Sequence, residues 1–158
     1  MKLQSVCALV GIAVMSSSIA AQTPSASVLA DKVLTLIDVI QVTRVKGLRT
    51  VEKDPVKGAS GDLNIADGSG ELLLMLMLSP AAEFDLMKRT AAAPVDGVGD
   101  EAYEAPNAEA AGGMAPYMLI FRKGNYAVML VSTFTATGAP RVPQRQLKQL
   151  AQLIAPRL

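Results

Sequence analysis

Polar residues at helical spacing mark the first regular element of the chain. Asp31, Thr35 and Asp38 form a narrow polar stripe through residues 28–42, and most of the remaining positions are apolar. This pattern predicts a single amphipathic helix over residues 28–42. Ser27 precedes the helix and has a side chain suited to capping it.

A second helix is predicted where a serine and a proline follow a long apolar run. Ser79 is placed to act as its N-cap, and Pro80 is placed at its first position. The spacing of Phe84 and Met87 puts both on the inner face, and the helix is expected to end near Thr90.

The last predicted helix covers residues 143–155 and has an apolar and a basic face. Arg145 and Lys148 lie on the basic face, Arg157 follows the helix, and no acidic residue occurs after position 109. Such a surface can contact an acidic partner or lipid head groups, although a solvated helix face is the more ordinary interpretation.

Two β-hairpins are predicted between these helices. Residues 62–66 and 71–78 flank a turn rich in glycine and aspartate, and residues 117–123 and 126–134 flank a Gly-Asn pair. A two-residue Gly-Asn turn fixes the pairing of its strands, so Phe121 is expected opposite Val128. The same register places Ile120 opposite Met129.

The predicted strands are apolar on both faces. In the second hairpin, one face is expected to hold Tyr117, Leu119, Phe121, Val128 and Leu130, and the other Met118, Ile120, Met129 and Val131. A half-exposed antiparallel sheet would alternate apolar and polar residues, so both faces must be covered. We therefore predict an α+β fold in which helices cover an antiparallel sheet of about four to six strands. A second copy of the chain could cover one face instead, which leaves a monomer and a homodimer as alternatives.

The start of the chain has the pattern of an export signal. Lys2 supplies a positive charge, residues 6–15 form a short apolar run, and small residues follow. The run is too short to span a bilayer as a helix. We therefore predict a signal peptide over residues 1–21, a single domain over residues 22–158, and a periplasmic or secreted location.

Removal of the signal narrows the chemistry that the domain can perform. It removes Cys7, the only cysteine, from a chain that has no histidine. Thiolate or imidazole metal sites and histidine-dependent triads are then excluded, and we expect neither a metal nor a cofactor. Loss of Lys2 leaves 14 basic and 14 acidic residues, and this balance argues against nucleic acid as a partner.

Two weaker patterns suggest metal ligands. Residues 62–71 offer oxygen atoms beside glycines, but Asp67 and Leu73 stand where a calcium loop requires glycine and glutamate, which favours a plain turn. Thioether sulfur can bind copper(I), and four methionines fall in the predicted strands: Met75, Met77, Met118 and Met129. Methionine among leucines is more often a filler of irregular core space.

The stretch 94-PVDGVGDEAYEAP-106 is the clearest candidate site. Asp100, Glu101 and Tyr103 could bind a ligand or partner, although adjacent carboxylates in an extended chain point to opposite faces. The structural interpretation is a tight turn in which Gly97 and Gly99 adopt left-handed backbone. In that turn Asp100 accepts backbone hydrogen bonds, and Tyr103 enters the edge of the sheet. Glu101 has no structural role that the sequence indicates.

The segment 97-GVGDEAY-103 resembles the G-x-G-D-E-A-[YF] segment of small exported bacterial α+β domains, many of unknown function. In those domains a strand hairpin and a C-terminal helix follow, and residues 118–125 and 143–158 stand in those places. The resemblance covers roughly residues 70–158. It implies a sandwich similar to the Mog1/PsbP type, with an antiparallel sheet between helices, and it implies no catalytic residues.

These patterns predict an exported, non-catalytic binding or interaction domain of the bacterial cell envelope. Its partner is expected to be an envelope protein or a small apolar ligand. The alternative is a carboxylate-dependent hydrolase of envelope polymers, in which Asp100 and Glu101 divide the acid and base roles.

Overall fold

The structure is a computed structural model that describes residues 26–89, 93–105 and 117–158. The predicted signal over residues 1–21 and the predicted helix end at Thr90 lie outside the described residues.

Within the described residues, seven strands form one antiparallel sheet in the order β1-β2-β3-β7-β6-β5-β4. The strands are β1 (Arg49–Val51), β2 (Leu63–Ala66), β3 (Leu72–Pro80), β4 (Ala93–Pro94), β5 (Glu101–Glu104), β6 (Tyr117–Lys123) and β7 (Tyr126–Ser132). The predicted α+β class is confirmed, but the sheet has more strands than expected. The two edge strands, β1 and β4, have three and two residues, too few for an alternating pattern to register in the sequence.

Both predicted hairpins are present. The β6–β7 register pairs Phe121 with Val128 and Ile120 with Met129, as the Gly-Asn turn predicts. The β3 strand also pairs with β7 and extends through Ser79 and Pro80. These two residues end the strand, so Ser79 is not the N-cap and Pro80 is not the first helical residue. The predicted helix does follow directly, because Pro80 precedes a 3-10 turn at Ala81–Glu83 that runs into a helix at Phe84–Lys88.

Four helices accompany the sheet in the described part of the chain: α1 (Ala26–Val33), α2 (Leu36–Thr43), α3 (Phe84–Lys88) and α4 (Gln144–Ile154). The single helix predicted over residues 28–42 is wrong, because the chain breaks between α1 and α2. Thr35 caps α2: its hydroxyl accepts the Asp38 N–H (3.3 Å), and the Asp38 carboxylate accepts the Thr35 N–H (2.9 Å). Ser27 lies within α1, so the prediction that it precedes the helix is wrong.

Helices cover the two faces of the sheet unequally. The larger core packs α1, α2 and α4 against one face. The smaller core packs α3 against the other through buried Phe84 and partly buried Met87. The helix–sheet–helix arrangement and the inner face of α4 are both as predicted, with Leu147, Leu150, Ala151 and Ile154 buried. No described helix is long and apolar enough to cross a membrane.

Candidate functional site

The Gly-Asp-Glu segment forms the turn that leads into β5. Gly97 and Gly99 have φ angles of +75° and +57°, in the left-handed region that favours glycine. A methyl group on Gly99 would also collide with the backbone carbonyl of Arg122 in β6. The turn therefore allows β5 to approach β6 closely.

Asp100 joins this turn to the β6–β7 turn. Its carboxylate accepts the N–H of Gly124 (2.9 Å) and pairs with the ammonium of Lys123 (2.8 Å). The hydrogen bond from Lys123, and then that from Gly124, lower the pKa of Asp100. Asp100 thus accepts a backbone hydrogen bond, and the donor comes from a neighbouring hairpin.

Glu101 points to the sheet face that α3 covers. One carboxylate oxygen accepts hydrogen bonds from Lys88 of α3 (2.7 Å) and from the Tyr103 hydroxyl (2.9 Å), while the other lies 3.6 Å from Arg122. The hydrogen bonds from Lys88 and Tyr103 lower the pKa of Glu101, and the bond to Glu101 raises the pKa of Lys88. Glu101 therefore ties α3 to the sheet, a role that the sequence did not indicate.

Tyr103 completes this cluster on β5. Its ring centroid lies 6.2 Å from that of Phe84, and the Lys88 ammonium lies 4.2 Å from the ring centroid. Cation–π and aromatic contacts thus add to the ion pair. The structure brings Glu101 and Tyr103 together, but Asp100 faces the hairpin turn and makes its contacts with Lys123 and Gly124.

The contacts of Asp100 and those of Glu101 both favour the ionised form of the carboxylate. A general acid needs a raised pKa so that it is protonated at neutral pH. The pKa values of Asp100 and Glu101 are both lowered, and each carboxylate already has a cationic partner. Ionised, paired carboxylates are better suited to hold α3 and the β6–β7 turn in place than to transfer a proton.

The other sequence candidates are engaged in the fold. In the turn over residues 67–70, Asp67 accepts the N–H groups of Ser69 and Glu71 (2.8 and 3.2 Å), and Arg141 pairs with both Asp67 and Glu71. Across the described residues, no cluster of three or more cysteine, histidine or acidic side chains could hold a metal ion. The methionines lie on the sheet face that α3 covers, where Met129 pairs with Met77 and Ile120.

The basic residues at the end of the chain separate into two groups. Arg157 is bound to Asp38, with N···O distances of 2.5 and 2.9 Å. Arg145, by contrast, lines an open groove of about 540 Å³ between α2 and α4. The residues that line this α2–α4 groove are Gln41, Val42, Arg44, Arg145, Gln146, Gln149, Gln152 and Leu153.

The α2–α4 groove lies beside the Gly-Asp-Glu turn. The side chain of Gln152 donates a hydrogen bond to the carbonyl of Gly97 (3.2 Å). Sequence reasoning identified the basic face of α4 but missed the groove, because the contribution of Arg44 depends on how α2 packs beside α4. Arg44 follows α2 in left-handed backbone, so helical spacing from Gln41 does not indicate where its side chain lies.

No family model, curated protein or solved structure matches this chain. The resemblance of residues 97–103 to exported bacterial α+β domains therefore stays a prediction.

Proposed function

We propose that this chain is an exported domain of the bacterial cell envelope that acts by binding another envelope protein. Its binding surface in this proposal is the α2–α4 groove. The observation that carries the proposal is the lining of the groove, in which two arginines and four glutamines converge. The pattern of residues 1–21 supports export.

The state of the basic side chains supports this choice of surface. Elsewhere in the fold, five basic residues have acidic partners: Lys88, Arg122, Lys123, Arg141 and Arg157. Other exposed basic side chains, such as those of Lys46 and Arg89, have no partner among the described residues, but the groove brings two such residues together. In the groove, Arg44 and Arg145 are exposed, and their side chains have no partner among the described residues. Because positive and negative charges balance over residues 22–158, these arginines are a local excess of positive charge that a partner can neutralise.

The Gly-Asp-Glu turn has a supporting role in this proposal. It fixes β5 to β6 and α3, and its Gly97 carbonyl holds Gln152 at the groove. This use of Asp100 and Glu101 weighs against the alternative hydrolase, in which one of the two would act as an acid. If any activity on envelope polymers is found and Glu101→Gln abolishes it without a change in thermal stability, the hydrolase becomes the better proposal.

A small apolar ligand is a second candidate, because the fold has a separate apolar pocket. This pocket of about 350 Å³ lies between α1 and the end of β3, and Leu29, Leu78, Pro80 and Tyr126 supply its apolar walls. Native mass spectrometry of the protein purified from its own cells tests this candidate. A bound molecule that is lost in a Leu29→Gln variant would support it, and bare polypeptide alone would contradict it.

Site-specific crosslinking tests the main proposal. A photoreactive amino acid is introduced at Gln149, which is exposed in the groove, or at Leu86, which is 64% exposed on α3 at the opposite sheet face. We expect a discrete protein adduct in intact cells from position 149 and none from position 86. Equal adducts from both positions, or none from position 149, would contradict the proposed binding surface.

A further inference from the structure

The two helices that form the α2–α4 groove run antiparallel. Arg157, just beyond α4, bonds to the carbonyl of Val33 (3.1 Å) and to Asp38 at the start of α2. The end of α4 therefore lies beside the start of α2. Arg44, after α2, and Arg145, in the first turn of α4, both line this groove.

The backbone conformation of Arg44 is a second observation that favours a binding role for its side chain. Arg44 has φ +64° and is the one non-glycine residue with positive φ in the part of the chain that the structure describes. At the residue that ends a helix in this conformation, glycine is the usual choice. The chain uses glycine at seven other described positions with positive φ, yet it places arginine here. The side chain at this position is one of those that line the groove.

The groove lacks an internal counter-charge. None of the described residues that line it is acidic, and the sequence of α4 has no aspartate or glutamate. Asp38, the acidic residue of α2, is buried and already bound to Arg157. Among the described residues, none that lines the groove offers a negative charge to Arg44 or Arg145, so an acidic partner can supply one.

The polar groups of the groove favour a peptide as that molecule. A guanidinium binds a carboxylate through two parallel hydrogen bonds. Glutamine side chains both donate and accept hydrogen bonds, which matches the N–H and C=O groups of an extended peptide. Among the described residues that line the groove there is no aromatic ring on which a sugar or a base could stack.

We propose that the α2–α4 groove binds an acidic peptide segment of another protein. Its carboxylates pair with Arg44 and Arg145, and its backbone bonds to the glutamines along the groove. This inference rests on the proposed function, since it names the chemistry of the partner that the binding domain recognises.

Peptide selection on the immobilised domain, residues 22–158, tests the inference. A displayed library of random linear peptides is selected for binding, and the enriched sequences are measured against the wild type and an Arg44→Gly/Arg145→Gln variant. We expect enrichment of aspartate and glutamate, and binding about tenfold weaker in the variant. Arg89→Gln, which removes an exposed charge after α3, should leave binding unchanged.

Thermal unfolding separates a binding effect from misfolding. Glycine adopts positive φ without strain, so Arg44→Gly should unfold at the same temperature as the wild type or higher. Enriched peptides without carboxylates, or equal binding by the double variant, would overturn the inference. Co-sedimentation with phosphatidylglycerol vesicles in the absence of peptide binding would also overturn it and would identify a lipid surface instead. If the protein crosslink from position 149 still forms in the Arg44→Gly/Arg145→Gln variant, the proposed binding function stands. The proposal that the partner is an acidic peptide segment is then wrong.

Discussion

Replacing Arg157 with methionine removes the contact that joins the end of the chain to the junction of α1 and α2. The guanidinium makes two bonds to the Asp38 carboxylate, at 2.5 and 2.9 Å, and one to the Val33 carbonyl at 3.1 Å. Methionine retains much of the apolar stem of arginine, so the change tests the hydrogen bonds and the charge more than the packing.

The loss of stability should be large for a contact that is partly exposed. The Asp38 side chain is 11% exposed, so water cannot fully replace its lost partner. The Arg157 side chain is 36% exposed, which reduces the worth of the pair below that of a fully buried one. Hydrogen bonds to charged groups then suggest a loss of about 1.5–2.5 kcal/mol in the free energy of unfolding. For a domain of this size, the melting temperature should fall by about 5–12 °C.

Urea and thermal unfolding of the domain over residues 22–158 measure this loss. Arg145→Met is the matched control, because it makes the same substitution at an exposed arginine that has no partner among the described residues. Equal stability of the two variants would refute the role assigned to the Arg157–Asp38 contact.

The same contact predicts a pH dependence with a definite sign. The hydrogen bond from Arg157 lowers the pKa of Asp38 well below its usual value of about 3.9. A carboxyl group whose pKa is lower in the folded state adds stability above the unfolded value, and this stability is lost as the pH falls toward the folded pKa. The stability difference between wild type and Asp38→Asn should therefore be constant near neutral pH and shrink below about pH 4. A difference that grows in acid would contradict the assignment.

Two further predictions concern the turn and the helix that it holds. Gly99→Ala should destabilise the fold by at least about 1 kcal/mol more than Gly124→Ala in urea unfolding. The two glycines have similar φ angles, of +57° and +55°, but an added methyl meets backbone only at Gly99, so equal losses would contradict the close approach to β6. Lys88→Met should speed amide hydrogen exchange in α3 and leave α4 unchanged, because Lys88 holds α3 to β5. Faster exchange throughout α4 would show that the contact supports the whole fold.

The parts of the fold that local pattern determines could be predicted from the sequence. The Gly-Asn turn sets the β6–β7 register, and this register assigns Phe121 and Ile120 to opposite faces of the sheet. The apolar stripe of α4 likewise needs no knowledge of distant residues. In each case, the residues that decide the structure are close together in the chain.

The parts that distant residues determine could not be predicted in the same way. Two contacts stabilise the break between α1 and α2. One is the local cap formed by Thr35 and Asp38, and the other is the bond from Arg157, which lies 119 residues beyond Asp38 in the chain. Glu101 acquires its role only when α3 packs beside β5 and brings Lys88 within 2.7 Å. The α2–α4 groove forms for the same reason, since its two arginines are far apart in the chain.

Arg157 and Arg44 stand at opposite ends of α2 and should have separable effects. Arg157 contacts the start of the helix, where its hydrogen bonds stabilise the fold. Arg44 follows the end of the helix, where its backbone is strained and its side chain has no described partner. Arg157→Met should therefore reduce stability and, because α2 forms one wall of the groove, should weaken binding as well. Arg44→Gly should weaken binding alone. A residue that matters only for packing would change stability and binding together. Loss of binding without loss of stability in Arg44→Gly would therefore identify the C-terminal end of α2 as part of the binding surface.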